Sequence, residues 1–151
     1  NIKERRRWMS TIRLLNSNFD EATGVSSVTI ATDYGLFSAT SKLHDEDLDI
    51  SSSYAGCEYA EMRAIIKYMR KRIEVINNQL KGLENYQKQL LGRADYNPKS
   101  PENIVLRRQI ESLNNEKKDW YRKKDSLTNS LIIKMNSRRV VVDAIANKKG
   151  E

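Results

Sequence analysis

From Tyr59 onward the apolar positions step by three and four: Tyr59, Met62, Ile66, Met69, Ile73, Ile76, Leu80 and Leu83, then Gln87 as one polar member, then Leu90. A break follows that contains Gly92, Pro98 and Pro101. The pattern then resumes through Leu106, Ile110, Leu113, Lys117, Trp120, Lys124, Leu127, Leu131 and Lys134. Two such stripes around a short turn predict an antiparallel coiled-coil hairpin. The first helix is expected over 54–91, about 38 residues and about 55 Å at ~1.5 Å per residue. Ser51, Ser52 and Ser53 offer its N-cap and Gly92 its C-cap. Gly82 inside it costs roughly 1 kcal/mol relative to Ala. The second helix is expected over 101–137, with Ser100 as N-cap, Pro101 in the first helical position and Glu102 just inside.

Folding the two arms about Tyr96–Pro98 sets Leu90 near Leu106, Leu83 near Leu113, Ile76 near Trp120, Met69 near Leu127 and Ile66 near Leu131. Apolar faces apolar in each layer. Lys117 and Lys124 fall opposite Leu80 and Ile73, where their stems can cover the seam while the ammonium groups reach water. Polar seam positions weaken such a hairpin and help to fix its register.

Upstream the period shortens. Met9–Leu15 reads as a strand, followed by a loop rich in Asn, Asp and Gly at Asn16–Gly24. Trp8, Ile12 and Leu15 also fit a helical spacing, so periodicity alone leaves this segment open. Val28–Thr32 is β-branched, Asp33–Tyr34–Gly35 is a turn signal, and Leu36–Leu43 alternates. Together they predict a β-hairpin extending to a three-stranded meander. Val28, Ile30 and Thr32 share one face, and Phe37, Ala39, Ser41 and Leu43 share one face of the next strand. Near the C-terminus, Val140–Val142 is β-branched enough to predict a strand returning to that sheet. The fold class is therefore α+β and mostly α. A small β region with an acidic loop spans 1–53, a helical hairpin 54–137, and a strand or tail 138–151.

Composition fits an exposed helical hairpin: 38% hydrophobic, 31% charged, mean hydropathy −0.72. No apolar run nears the ~20 residues of a membrane span, so no membrane role is expected. The single cysteine, Cys57, excludes an internal disulfide and fits a reducing cytoplasm. The opening Asn1 reads as a trimmed, processed or partial chain.

The net charge of +7 is segregated. Residues 1–13 hold five basic and one acidic residue, and 14–52 hold seven acidic and one basic. Such segregation predicts two surfaces with different partners. Three clusters are candidate interaction sites. The first is Arg5, Arg6 and Arg7. The second is the acidic loop Asp45, Glu46 and Asp47. The third is Lys117, Lys118, Tyr121, Arg122, Lys123 and Lys124, a basic run interleaved with aromatics. Elsewhere on the helices Glu58, Glu61, Glu74, Glu84, Glu111, Glu116, Asp119 and Asp125 alternate with the bases, as on a solvated helix face.

Two residues invite a chemical role and find a simpler one. His44 beside Asp45, Glu46, Asp47 and Asp49 lacks the spacing of metal motifs and reads as a solvated turn. Cys57, near the positive end of a helix, reads as a small filler between sheet and helix. No phosphate-binding glycine loop, zinc-finger spacing or hydrolase elbow occurs. The chain is expected to be no enzyme and to need no cofactor or metal.

Residues 28–64 resemble a segment of small proteins encoded by phages and prophages of Gram-positive bacteria. There a β-hairpin leads into a Lys-x-His-Pro-x-Asp-like turn and a helix opening Gly-x-x-x-Ala-x-x-Arg-Ala. Lys42, His44, Asp47, Gly56, Ala60, Arg63 and Ala64 match, while Asp45 replaces the proline. The resemblance implies a phage origin and a place in the cytoplasm of a bacterial host. The function expected is a non-enzymatic inhibitor or adaptor, anti-defence proteins included. Its partner would be a host protein or protein–nucleic-acid machine. A DNA or RNA binder using Arg5–Arg7 and the basic arm is the alternative. Weak nucleic-acid binding and a homodimer both remain open.

Overall fold

The computed structural model describes residues 11–42 and 52–149, with helix side chains from 55 to 137. Three antiparallel strands precede two long helices. Strand β1 is Arg13–Asp20, β2 is Val25–Thr32 and β3 is Gly35–Lys42, in the sheet order β1-β2-β3. Helix α1 is Ser52–Leu91 and α2 is Pro101–Lys149. The fold is α+β and mostly α.

Local chemistry explains the two turns. Between β1 and β2, Gly24 takes φ 71° and its N–H donates to the Asp20 carbonyl at 2.8 Å. The Asp20 carboxylate accepts from the Ala22 N–H at 2.9 Å. That closing chemistry lies at 20–24, so β1 runs on through Asn16, Ser17 and Asn18, which the sequence analysis assigned to a loop. Pairing with β2 outweighs the turn propensity of those residues. β1 starts at Arg13 rather than Met9, and β2 starts at Val25 rather than Val28. Between β2 and β3, Gly35 adopts φ 104°, a conformation L side chains disfavour. There Thr32 Oγ1 donates to the Gly35 carbonyl at 2.8 Å and accepts from the Tyr34 N–H at 3.1 Å.

The chain divides into two compact units. The first joins the sheet to both helices up to Tyr68 and from Asp125. One face of the sheet buries Ser26, Val28, Ile30, Ala39 and Ser41. On α1, Gly56, Ala60 and Ala64 are buried in the same i, i+4 row as Tyr68. Tyr68 is fully buried and meets the rings of Phe37 at 5.8 Å and Tyr34 at 6.2 Å. Its hydroxyl donates to Asp33 Oδ1 at 2.6 Å, which satisfies a group that would be costly to bury alone. Arg63 and Lys67, exposed on α1, donate to the β3 carbonyls of Thr40 at 3.0 Å and Ser38 at 2.7 Å. A second cluster holds Ala55, Tyr59, Met62, Ile66 and Leu131, with Leu127 packed against it. Each fully buried side chain of this size contributes about 1.5–3 kcal/mol.

Lys134 leaves the predicted stripe. It is exposed, pairs with Glu58, and its carbonyl accepts from the Tyr59 hydroxyl at 3.3 Å. Cys57 is half-buried rather than a fully buried filler. Helix α2 continues to Lys149 and takes in Val140–Val142, so the predicted strand there is a helix. β-branched residues cost a helix only a few tenths of a kcal/mol each, and three are too few to end one that is already propagating.

The second unit, Met69–Lys124, is a helical hairpin. Ile73, Ile76, Leu80 and Leu90 are buried on α1, and Asn103, Leu106 and Trp120 on α2. Arg72 lies over Trp120, and nearer the turn Tyr86 meets Glu102, so the arms run antiparallel. The turn is closed by side chains. Ser100 Oγ accepts from the Asn103 N–H at 3.4 Å, the N-cap contact predicted for it. Asn103 Nδ2 donates to the Asn97 carbonyl at 2.6 Å, and Arg107 to the Pro98 carbonyl at 2.6 Å. The Gly92 N–H reaches the Lys88 carbonyl at 3.3 Å and ends α1 where predicted.

Candidate interaction surface on the helical hairpin

Of the three predicted clusters, only Lys117–Lys124 falls among the described residues. Arg5, Arg6, Arg7, Asp45, Glu46 and Asp47 lie outside them, as does His44. The described cluster is organised by its rings. Trp120 is buried in the seam, and two cations approach its ring: Arg72 from α1 at 4.8 Å and Lys123 from α2 at 4.7 Å. A cation over an indole face contributes about 0.5–2 kcal/mol, and more as water is excluded. Lys124 approaches the ring of Tyr121 at 5.3 Å. Tyr121 keeps 39% of its surface exposed.

The remaining bases divide by helical position. Lys117 and Lys124 are half-buried along the seam, as their predicted role as stems requires. Lys118 and Arg122 are exposed, and Arg122 pairs with Asp119 at 2.6 Å. On α1, Lys71 pairs with Glu74 at 3.5 Å. Both pairs join exposed side chains, where such bridges contribute little to stability. They do lower the positive field the cluster presents.

Arg72 lies outside the run of bases on α2 and joins it through the fold. The predicted register sets Ile76 beside Trp120, and Arg72 sits one turn from Ile76.

Further toward the turn, a groove of about 700 Å³ opens beside Gly82. Its walls include Gln79, Leu83, Val105, Gln109 and Leu113, with Arg108 at its side. A Cβ added at Gly82 would meet nothing within 4 Å. Apolar and amide groups dominate this lining, a mix that suits a protein surface better than a phosphate chain.

Among the described residues, no group of three or more His, Cys, Asp or Glu side chains could hold a metal ion. No described helix is long and apolar enough to cross a membrane. No protein family, curated protein or solved structure matches the chain.

Proposed function

We propose that the protein is a non-enzymatic interaction protein of phage or mobile-element origin. It acts in the bacterial cytoplasm as an inhibitor or adaptor, an anti-defence role included, by docking on a host protein or protein–nucleic-acid machine. The observation that carries this reading is the basic-aromatic surface around Trp120 and Tyr121. Trp, Tyr and Arg are the residues enriched among those that dominate protein interfaces. Here Arg72, Lys123 and Lys124 lie over rings, while Arg122 is paired with Asp119. A face built to track phosphates would exclude Asp119 and Glu116, since each repels the backbone it must approach. The surface fits a patch of mixed charge on a folded partner, with Tyr121 as the exposed anchor.

The direct nucleic-acid reading rests on the same cations. Titrating labelled random-sequence duplex DNA with the full chain separates the two. The expected result is weak binding at low salt that fades by about 0.15 M, where exposed charges more than ~8 Å apart are screened. Micromolar or tighter binding at that salt, lost on the joint substitution of Lys118, Arg122 and Lys124 by Gln, would reverse the ranking.

A further inference from the structure

The two edges of the sheet are not alike. On β3 the carbonyls of Ser38 and Thr40, two residues apart, are taken by Lys67 and Arg63 of α1. Among the described residues, β1 pairs with β2 alone, and no strand lies on its other side. Leu14 and Leu15 on it are 49% and 46% exposed. An edge left unpaired by the described residues is a template for a further strand.

The identity of that strand follows from the ladder. β1 meets β2 through seven residues, Arg13, Leu14, Asn16, Ser17, Asn18, Phe19 and Asp20, with the register slipping at Leu15. Read as rungs, the series is complementary to its own reverse about Ser17. Turned antiparallel on itself, it sets Arg13 against Asp20, Leu14 against Phe19, Asn16 against Asn18, and Ser17 against Ser17. The faces agree as well. Leu14, Ser17 and Phe19 lie opposite Ile30, Val28 and Ser26, so they share the sheet face on which those three β2 residues are buried. Arg13, Asn16, Asn18 and Asp20 share the other. Omitting Leu15 from both strands keeps this parity, which a one-residue slip would destroy.

We propose that β1 is a homodimerisation edge: two copies pair β1 to β1 antiparallel about a two-fold axis through Ser17 and form a continuous six-stranded sheet. Opposite charges at both ends of the pairing and an apolar pair at Leu14–Phe19 favour this register. The operator is closed, so residue i meets j and j meets i. Seven rungs make a small interface, and the dimer is correspondingly weak and dilution-sensitive.

Sedimentation velocity of the full chain over a concentration series tests the proposal. The chain of 17.5 kDa is expected to pass from monomer to dimer as concentration rises. Arg13→Asp places Asp against Asp20 twice by symmetry and should weaken the dimer about ten-fold or more. Asp20→Arg places Arg against Arg13 and should do the same. Mixed in equal amounts, the two variants restore both opposite-charge contacts and should form a heterodimer tighter than either homodimer. This mixing readout holds even if Asp20→Arg loosens the turn that its carboxylate closes. Circular dichroism on each variant checks that the helices persist. A monomer at millimolar chain concentration overturns the proposal. So does a dimer indifferent to both substitutions, or a mixture that gains nothing.

Discussion

Tyr86 shows how one contact on the hairpin sets an observable. Its hydroxyl donates to Glu102 Oε1, and this hydrogen bond, with partial desolvation and the same carboxylate's negative charge, raises the phenol above its ordinary value of 10.0, while Arg93 opposes the shift. The unfolded chain gives up this proton at lower pH than the folded one. The contact therefore stabilises fully below pH about 10 and is lost as pH rises through the higher folded value. Ultraviolet titration should show a late phenolate component that Tyr86→Phe removes. Ser26 offers a second check at this scale. Its Oγ is buried, with no hydrogen-bond partner among the described residues. Ser26→Ala removes an unsatisfied hydroxyl and should leave stability unchanged or raise it by about 1 kcal/mol in chemical denaturation.

Among the elements, α1 carries an avoidable defect. Gly82 sits inside the helix, and a Cβ there meets open space. Gly82→Ala should raise stability by roughly 0.5–1 kcal/mol, seen as a higher thermal midpoint. The opposite experiment probes the seam. Ile76 is buried on α1, and Ile76→Asp puts an unpaired charge there. Ile76→Asp should destabilise the hairpin more than Ile76→Ala, which itself costs about 2–5 kcal/mol, both read by chemical denaturation followed by helical ellipticity.

Across the whole molecule, legibility followed pattern length. The hairpin stripe extends over many turns, so α1, the Gly92 stop and the Ser100 cap were readable. The Asp33–Gly35 turn was readable because only a few residues tolerate its backbone. β1 was misplaced because Asn16–Asn18 carry turn propensity, while the groups that close the turn, Asp20 and Gly24, lie beyond them. Val140–Val142 was misread because local β propensity says nothing about a helix already under way. Arg72 joins its site through register, which a scan for charge runs does not use. Arg63 and Lys67 looked like ordinary surface bases, since their carbonyl partners are backbone atoms invisible in a string of letters.

Those two cations have a consequence for how the protein behaves in bulk. A sheet with two open edges is bivalent and can polymerise without limit. One with a single open edge is monovalent, and its growth stops at the first encounter. On the β1 pairing proposed above, Lys67 and Arg63, by occupying the Ser38 and Thr40 carbonyls, would act as chain terminators. Replacing both with Gln should raise the valence to two, so that concentrated solutions scatter light and bind amyloid dyes. Solutions that stay clear would show that valence is limited elsewhere. On this account, Arg63 and Lys67 decide whether the sheet ends as a discrete particle or a fibre.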